Sequence, residues 1–109
     1  MTYQQIASMI AGLNLPYAYY QFTQDTAKAP PFICFYYPDD HDVQADNINY
    51  ATVRTLVIEL YTDNKDFALE ATVETMLRNN ELPFSRMELY IDSEKLYMIT
   101  YTMEVSING

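Results

Sequence analysis

The sequence predicts one α+β domain, in which two helices pack on a mostly antiparallel sheet in the order α-β-β-β-α-β-β. Two segments repeat apolar residues at helical spacing, and five shorter ones are rich in aromatic residues or alternate apolar with polar residues. Prolines and polar loops separate these segments. A chain of 109 residues is long enough for one hydrophobic core and too short for two. We therefore expect a single domain over residues 1–109.

Each predicted helix has one apolar stripe. The first helix covers residues 2–12, with a stripe formed by Ile6, Met9, Ile10 and Leu13. The second covers residues 64–79, with a stripe formed by Leu69, Val73, Met76 and Leu77. Candidate N-caps precede the second helix at positions 62–64, and Asp66 is expected in its first turn. Glu74 and Arg78 are expected to form an i, i+4 pair on its solvent side.

Three strands are predicted between the helices. Residues 17–22 and 32–37 are dense in aromatic and β-favouring side chains. Residues 53–61 alternate, so that one face would carry the core residues Leu56, Ile58 and Leu60.

The last third of the chain predicts a hairpin whose register is open. A two-residue turn at positions 93 and 94 would pair Leu89 with Met98 and separate the two apolar series onto opposite faces. A three-residue loop would align Met87, Leu89 and Ile91 with the series that begins at Tyr97, and we favour this longer loop. The second strand outlasts its partner, so residues 103–107 must pair elsewhere or form an apolar edge that another chain covers.

Composition favours a protein-binding role. Fifteen carboxylates against six Lys or Arg give a formal charge of −9, which repels nucleic acid phosphates. The eleven tyrosines, with no tryptophan, suit a surface that is apolar in one contact and wet in another. Because adjacent residues in a strand point to opposite faces of the sheet, not all tyrosines of these strands can be buried in one core. Those least easily buried are Tyr17, Tyr19, Tyr36 and Tyr37.

No catalytic, cofactor or metal site is predicted. The acidic loop at residues 39–46 lacks the glycine and the twelfth-position acid of a calcium loop, since Tyr50 takes that position. Cys34 lies in an apolar run and His41 is the only histidine, so no catalytic triad is indicated. The longest apolar run, residues 30–38, is too short to cross a membrane, and the N-terminus does not resemble a signal peptide. We expect a cytosolic protein.

Several stretches resemble known proteins. They are residues 15–22 (LPYAYYQF), 31–33 (PFI), 56–62 (LVIELYT), 65–67 (KDF) and 94–98 (EKLYM), with Tyr101. In these stretches the chain resembles small structural proteins encoded beside the neck genes of long-tailed bacteriophages and prophages. Such proteins are often called minor capsid, tail-completion, tail-terminator or head–tail joining proteins.

The resemblance implies a non-enzymatic subunit of the virion, assembled in the cytoplasm of the bacterial host. Its partners would be copies of itself in a six-fold ring, together with tail-tube and head-completion proteins, while DNA passes through the ring as cargo. We expect interface residues near the acidic loop and the strand ends, with Tyr37, Asp40, Asp42 and Met103 as candidates. The alternative reading is an acidic monomeric adaptor or inhibitor that docks on a basic protein partner.

Overall fold

The computed structural model describes residues 1–23, 27–38 and 52–108. It confirms the α+β class and the predicted element order. The elements are α1 (Tyr3–Ala11), β1 (Tyr17–Tyr19), β2 (Phe32–Tyr36), β3 (Thr52–Thr62), α2 (Phe67–Asn79), β4 (Ser85–Ile91) and β5 (Leu96–Ile107).

The strands form one mixed sheet in the order β1-β2-β3-β5-β4. The short β1 runs parallel to β2, and every other pairing is antiparallel. The two longest strands, β3 and β5, pair along their whole common length at the centre, which leaves β1 and β4 as the edges. Four strand spacings of about 4.8 Å separate these edges by roughly 19 Å.

Helix α1 agrees closely with its prediction. Thr2 is its N-cap and forms a capping box with Gln5, because the Gln5 amide donates to the Thr2 hydroxyl at 3.1 Å and the Thr2 amide donates to Gln5 Oε1 at 2.8 Å. Gly12 follows the last turn as the C-cap. Ile6 and Ile10 are fully buried, which confirms the predicted stripe.

Helix α2 begins later than predicted, at Phe67. Thr62 is the last residue of β3 and is buried there, so it does not cap the helix. Asp66 is the N-cap instead, and its carboxylate accepts a hydrogen bond from the Leu69 amide at 3.0 Å. The predicted pair of Glu74 and Arg78 forms at 3.6 Å, but Glu74 does not face solvent, since its side chain is only 18% exposed.

One core lies between both helices and a single face of the sheet. The buried residues of the helices, such as Ile10 and Val73, pack in one cluster with alternate strand residues. Leu56, Ile58 and Leu60 are 0% exposed in that cluster, which confirms the predicted anchor of the sheet. Directly paired residues lie on the same side of a sheet, so the residues alternating with these form a second face without a helix in the described parts of the chain.

The predicted hairpin register is wrong. Leu89 pairs with Met98 and Ile91 with Leu96, so residues 92–95 form a four-residue loop in the register that we did not favour. Lys95 supplies the positive φ of 54° that ends this loop without a glycine. The alternating apolar residues of β4 therefore lie on the second face of the sheet, whereas the buried apolar residues of β5 lie on the helix face.

The long end of β5 pairs with β3, from Leu56 opposite Met103 to Thr52 opposite Ile107. Of the two alternatives for residues 103–107, pairing elsewhere is the one that the structure adopts. At the other edge, β1 is shorter than predicted because Tyr20 has a φ of 69° and leaves the extended conformation.

Candidate protein–protein interface

Exposed apolar side chains gather at the two edges of the sheet. Tyr3, Tyr19 and Tyr20 are 44–54% exposed near β1, while Met87 and Leu89 are 70% and 53% exposed on β4. Aromatic and methionine side chains are enriched in protein interfaces, and tyrosine is frequent among residues that dominate binding energy. Both edges are therefore candidate docking surfaces.

The surface at β1 is a connected group of rings, which we call the tyrosine cluster. It consists of Tyr3, Tyr19, Tyr20, Tyr36 and Tyr37. Tyr3 meets Tyr37 edge to face at 5.1 Å, Tyr37 lies 6.1 Å from Tyr19, and Tyr20 stacks on Tyr36 at 4.8 Å. Rings that support each other in this way hold large apolar areas at the surface with little side-chain entropy left to lose on binding.

Tyr37 anchors the tyrosine cluster. Its ring lies under the guanidinium of Arg54 at 5.3 Å, and Arg54 also donates a hydrogen bond to the Tyr3 hydroxyl at 2.9 Å. Burial, with smaller contributions from Tyr3 and Tyr19, raises the pKa of Tyr37 to about 12. The Tyr37 hydroxyl is buried and has no hydrogen-bond partner among the described residues. Tyr37 thus packs beneath the rings of Tyr3 and Tyr19. The rings that a partner could contact are those of Tyr3, Tyr19 and Tyr20.

The surface at β4 is an edge strand with an exposed apolar side, which we call the β4 patch (Met87 and Leu89). Both residues lie on the second face, and no strand pairs with the outer edge of β4 within residues 52–108. A free edge leaves backbone donors and acceptors available to another chain. The β4 patch therefore offers both apolar contact and backbone hydrogen bonds.

Ion pairs fix β4 to α2 from the helix face. Glu70 is 4% exposed at its side chain, and its carboxylate binds Lys65 at 2.6 Å and also contacts Arg86 of β4. Arg86 reaches Glu74 at 3.3 Å, and the Glu74 carboxylate accepts a hydrogen bond from the Tyr101 hydroxyl at 2.9 Å. Desolvation opposes the raised pKa of Arg86, but its hydrogen bond and attraction to Glu70 outweigh it. The network keeps the edge strand in place while its opposite side stays exposed.

A third feature is an aromatic cleft of about 550 Å³ on the second face, beside the tyrosine cluster. The residues that shape it are Tyr20, Phe22, Phe32, Tyr36, Glu59 and Tyr61. Glu59 accepts hydrogen bonds from the Tyr36 hydroxyl at 3.1 Å and from the Tyr61 hydroxyl at 2.8 Å. The cleft thus combines ring surfaces with a carboxylate.

The four predicted interface residues have different outcomes. Tyr37 lies half-buried in the tyrosine cluster, whereas Asp40 and Asp42 lie outside the described residues, as does the rest of the acidic loop. Met103 is 3% exposed and packs in the core opposite Leu56, so the expectation that it is exposed is wrong. Its place on the helix face, under the two helices, explains the difference.

Sequence reasoning missed the β4 patch and the aromatic cleft. The alternation of Met87, Leu89 and Ile91 was visible, but a half-buried strand and an edge strand with an exposed apolar side have the same pattern. The charged residues Arg86 and Glu88, which flank Met87, were the signal for ion pairs on the helix face. Glu59 and Tyr61 lie two residues apart on β3, but the second partner of Glu59, Tyr36, comes from β2, so the local sequence does not show the complete group.

The described residues contain no group of three or more His, Cys, Asp or Glu placed to bind a metal. Cys34 is buried beneath the aromatic cleft, as predicted, and burial together with the nearby Glu59 raises the pKa of its thiol to about 11. Within the described part of the chain, no helix is long and apolar enough to span a bilayer. Comparison of the chain with protein-family models and with curated protein sequences gave no significant match.

Proposed function

We propose that this chain is a structural assembly protein of a phage or prophage virion, which forms a ring at the end of the tail and joins the tail to the head. The proposal begins from the resemblance of residues 15–22 and 56–62, among others, to neck and tail-completion proteins. The observation that carries it further is the presence of two different docking surfaces at opposite edges of one sheet.

A closed ring requires such a pair of surfaces. Each subunit in a ring touches one neighbour through one patch and the other neighbour through a different patch, so the contacts are heterologous. The tyrosine cluster and the β4 patch differ in chemistry and lie at edges roughly 19 Å apart across the sheet. In the proposed ring, the β4 edge of one copy faces the tyrosine cluster of the next.

The charge of the chain suits the passage of DNA through such a ring. With a formal charge of −9, the subunit repels phosphates, and a channel built from it would not retain the duplex. The partners that hold the ring in place would be tail-tube and head-completion proteins. In this proposal the chain binds no cofactor and catalyses no reaction.

Complementation of a phage or prophage that lacks this gene tests the proposal. Leu89→Asp and Tyr19→Asp place a charge in each docking surface at side chains that are 53% and 51% exposed, and Thr75→Asp adds the same charge on the exposed side of α2 as a control. A buried unpaired charge in an interface costs several kcal/mol, so both surface variants should lower the titre at least about 100-fold and leave separate heads and tails.

Thr75→Asp should restore infectivity fully, and circular dichroism should show all three variants folded. Normal particles and full titre from both surface variants would refute the use of these edges in the virion. Portal, capsid and tail-tube genes beside this gene would support the proposal independently, whereas their absence would favour the monomeric adaptor.

A further inference from the structure

We propose that the aromatic cleft on the second face is a docking site for an arginine side chain of a basic partner protein. The proposal does not depend on the virion role, because the cleft lies within one subunit and can be tested with the isolated chain. It rests on the donor and acceptor pattern around Glu59, on the surrounding rings and on the charge of the lining.

Three polar side chains of the cleft, those of Tyr36, Glu59 and Tyr61, accept hydrogen bonds and have none to give, whereas Gln21 and Lys28 elsewhere in the lining carry donors. The Tyr36 and Tyr61 hydroxyls both donate to Glu59, so their protons are already committed. What remains free is the outer lone pairs of the carboxylate and those of the two phenol oxygens. A guanidinium group, which carries five N–H donors and no acceptor, matches this pattern, whereas a carboxylate or phosphate does not.

The phenols stay protonated over the whole physiological range. Burial first, and then the neighbouring Glu59, raises the pKa of Tyr36 above its usual value of 10.0. Burial and the hydrogen bond to Glu59 likewise raise the pKa of Tyr61. The two phenols therefore keep their protons between about pH 6 and pH 9.

The walls of the cleft favour a planar cation. Tyr20 stacks on Tyr36 at 4.8 Å and Phe32 on Tyr61 at 4.9 Å, while Phe22 meets Phe32 edge to face at 5.3 Å. Arginine stacks on aromatic faces and binds carboxylates through two parallel hydrogen bonds, which the compact ammonium group of lysine does not do.

The charge of the lining is negative, and Glu59 has no cationic partner among the residues that the structure describes. Glu94 and Lys28 are the other charged residues of the cleft, so its formal charge is −1 from two acids and one base. In the described part of the chain, neither Lys28 nor another cation forms a salt bridge with Glu59. Together with the total charge of −9, this identifies a basic partner as the occupant.

Titration of the isolated, isotopically labelled protein with three short peptides tests the proposal by NMR. The peptides are acetylated and amidated Gly-Arg-Gly, the same peptide with lysine, and the same peptide with citrulline, which keeps the shape of arginine but has no charge. We expect the arginine peptide to bind with a dissociation constant of about millimolar and to shift the signals of Glu59, Tyr36 and Tyr61. The lysine peptide should bind at least about threefold more weakly, and the citrulline peptide at least about tenfold more weakly.

Two variants connect binding to the cleft. Glu59→Gln should weaken binding of the arginine peptide at least about tenfold, because the charge-assisted hydrogen bonds are lost. Glu104→Gln removes the same charge from an exposed position of β5 and should leave binding unchanged. If Glu59→Gln does not fold, Tyr61→Phe, which removes one phenol oxygen, should still weaken binding severalfold.

Equal binding of the arginine and citrulline peptides would overturn the proposal, as would the absence of saturable shifts at about ten millimolar peptide. Signals of the cleft that move with protein concentration alone would identify a second copy as the occupant and would also overturn it. Failure of phage complementation, by contrast, would concern the ring and not the cleft.

Discussion

Truncation of two apolar residues in the last hairpin should lower the stability of the fold by very different amounts. Ile99 is 0% exposed and lies in the core, whereas Leu89 is 53% exposed on the edge strand. Removal of a buried aliphatic side chain leaves a cavity and costs about 2–5 kcal/mol, while truncation of an exposed one usually changes stability by less than about 0.5 kcal/mol. We therefore expect Ile99→Ala to be strongly destabilising and Leu89→Ala to be nearly neutral.

Thermal melting measures this difference directly. One kcal/mol shifts the melting temperature of a domain of this size by about 4 °C, so Ile99→Ala should lower it by roughly 8–20 °C and Leu89→Ala by less than about 2 °C. Thr100→Ala, at a half-buried position of β5 on the second face, serves as a control for the strand backbone. A loss for Leu89→Ala as large as that for Ile99→Ala would mean that both side chains enter the core, and the observed register would be refuted.

Three further predictions concern charges, the thiol and a helix cap. The hydrogen bond from Lys65 lowers the pKa of Glu88 below its usual 4.5. This pair therefore stabilises the fold fully above about pH 4.5, and its contribution is lost as the pH falls through the lowered pKa. Urea unfolding at about pH 5 and about pH 3 should show a smaller loss of stability for Glu88→Gln than for the parent chain, and an equal loss would exclude this contribution. Because burial raises the pKa of Cys34 to about 11, a thiol reagent at about pH 8 should react with the folded protein at least about 100-fold more slowly than with the unfolded chain; a fast reaction would contradict its burial. Asp66→Ala removes the N-cap of α2 and should cost about 1 kcal/mol in urea unfolding, whereas no loss would contradict the later helix start.

The elements that sequence predicted best are those whose local pattern and tertiary role agree. In α1, the capping residue Thr2 and the stripe of Ile6 and Ile10 specify both the helix and its buried side. In β3, the alternation of Leu56, Ile58 and Leu60 matches its position at the centre of the sheet. When the local sequence pattern and the position in the tertiary structure agree in this way, an element can be predicted from its own residues.

The predictions that were wrong depended on contacts between distant parts of the chain. The N-cap candidates at residues 62–64 were plausible locally, but β3 extends to Thr62 and moves the cap to Asp66. In the observed hairpin register, Arg86 lies on the helix face of β4, where it pairs with Glu70 of α2, a contact that the sequence of the hairpin alone does not reveal. Met103 was judged by its place near a strand end, yet its position opposite Leu56 buries it.

The sequence predicted the kind of surface but not its place. The excess of tyrosine indicated a protein interface, and Tyr37, which we named as an interface candidate, lies beneath the exposed rings of the tyrosine cluster. The aromatic cleft combines residues from β2, β3, the segment after β1 and the β4–β5 loop, so its lining residues are up to 74 positions apart in the sequence, between Tyr20 and Glu94. A repeat of apolar residues within one helix or strand therefore cannot predict this cleft.

Chemical cross-linking of assembled particles tests the central claim, that two different surfaces at opposite sheet edges join neighbouring copies. Leu89→Cys and Tyr19→Cys place one thiol in each surface, and the native Cys34 can stay because it is buried. With a short bifunctional maleimide, we expect a ladder of covalent oligomers from the double variant, up to the hexamer that the resemblance implies, and only monomers from either single variant. Covalent dimers from a single variant would show that like surfaces meet, and no oligomers from the double variant would show that these edges do not meet; either result would contradict the claim.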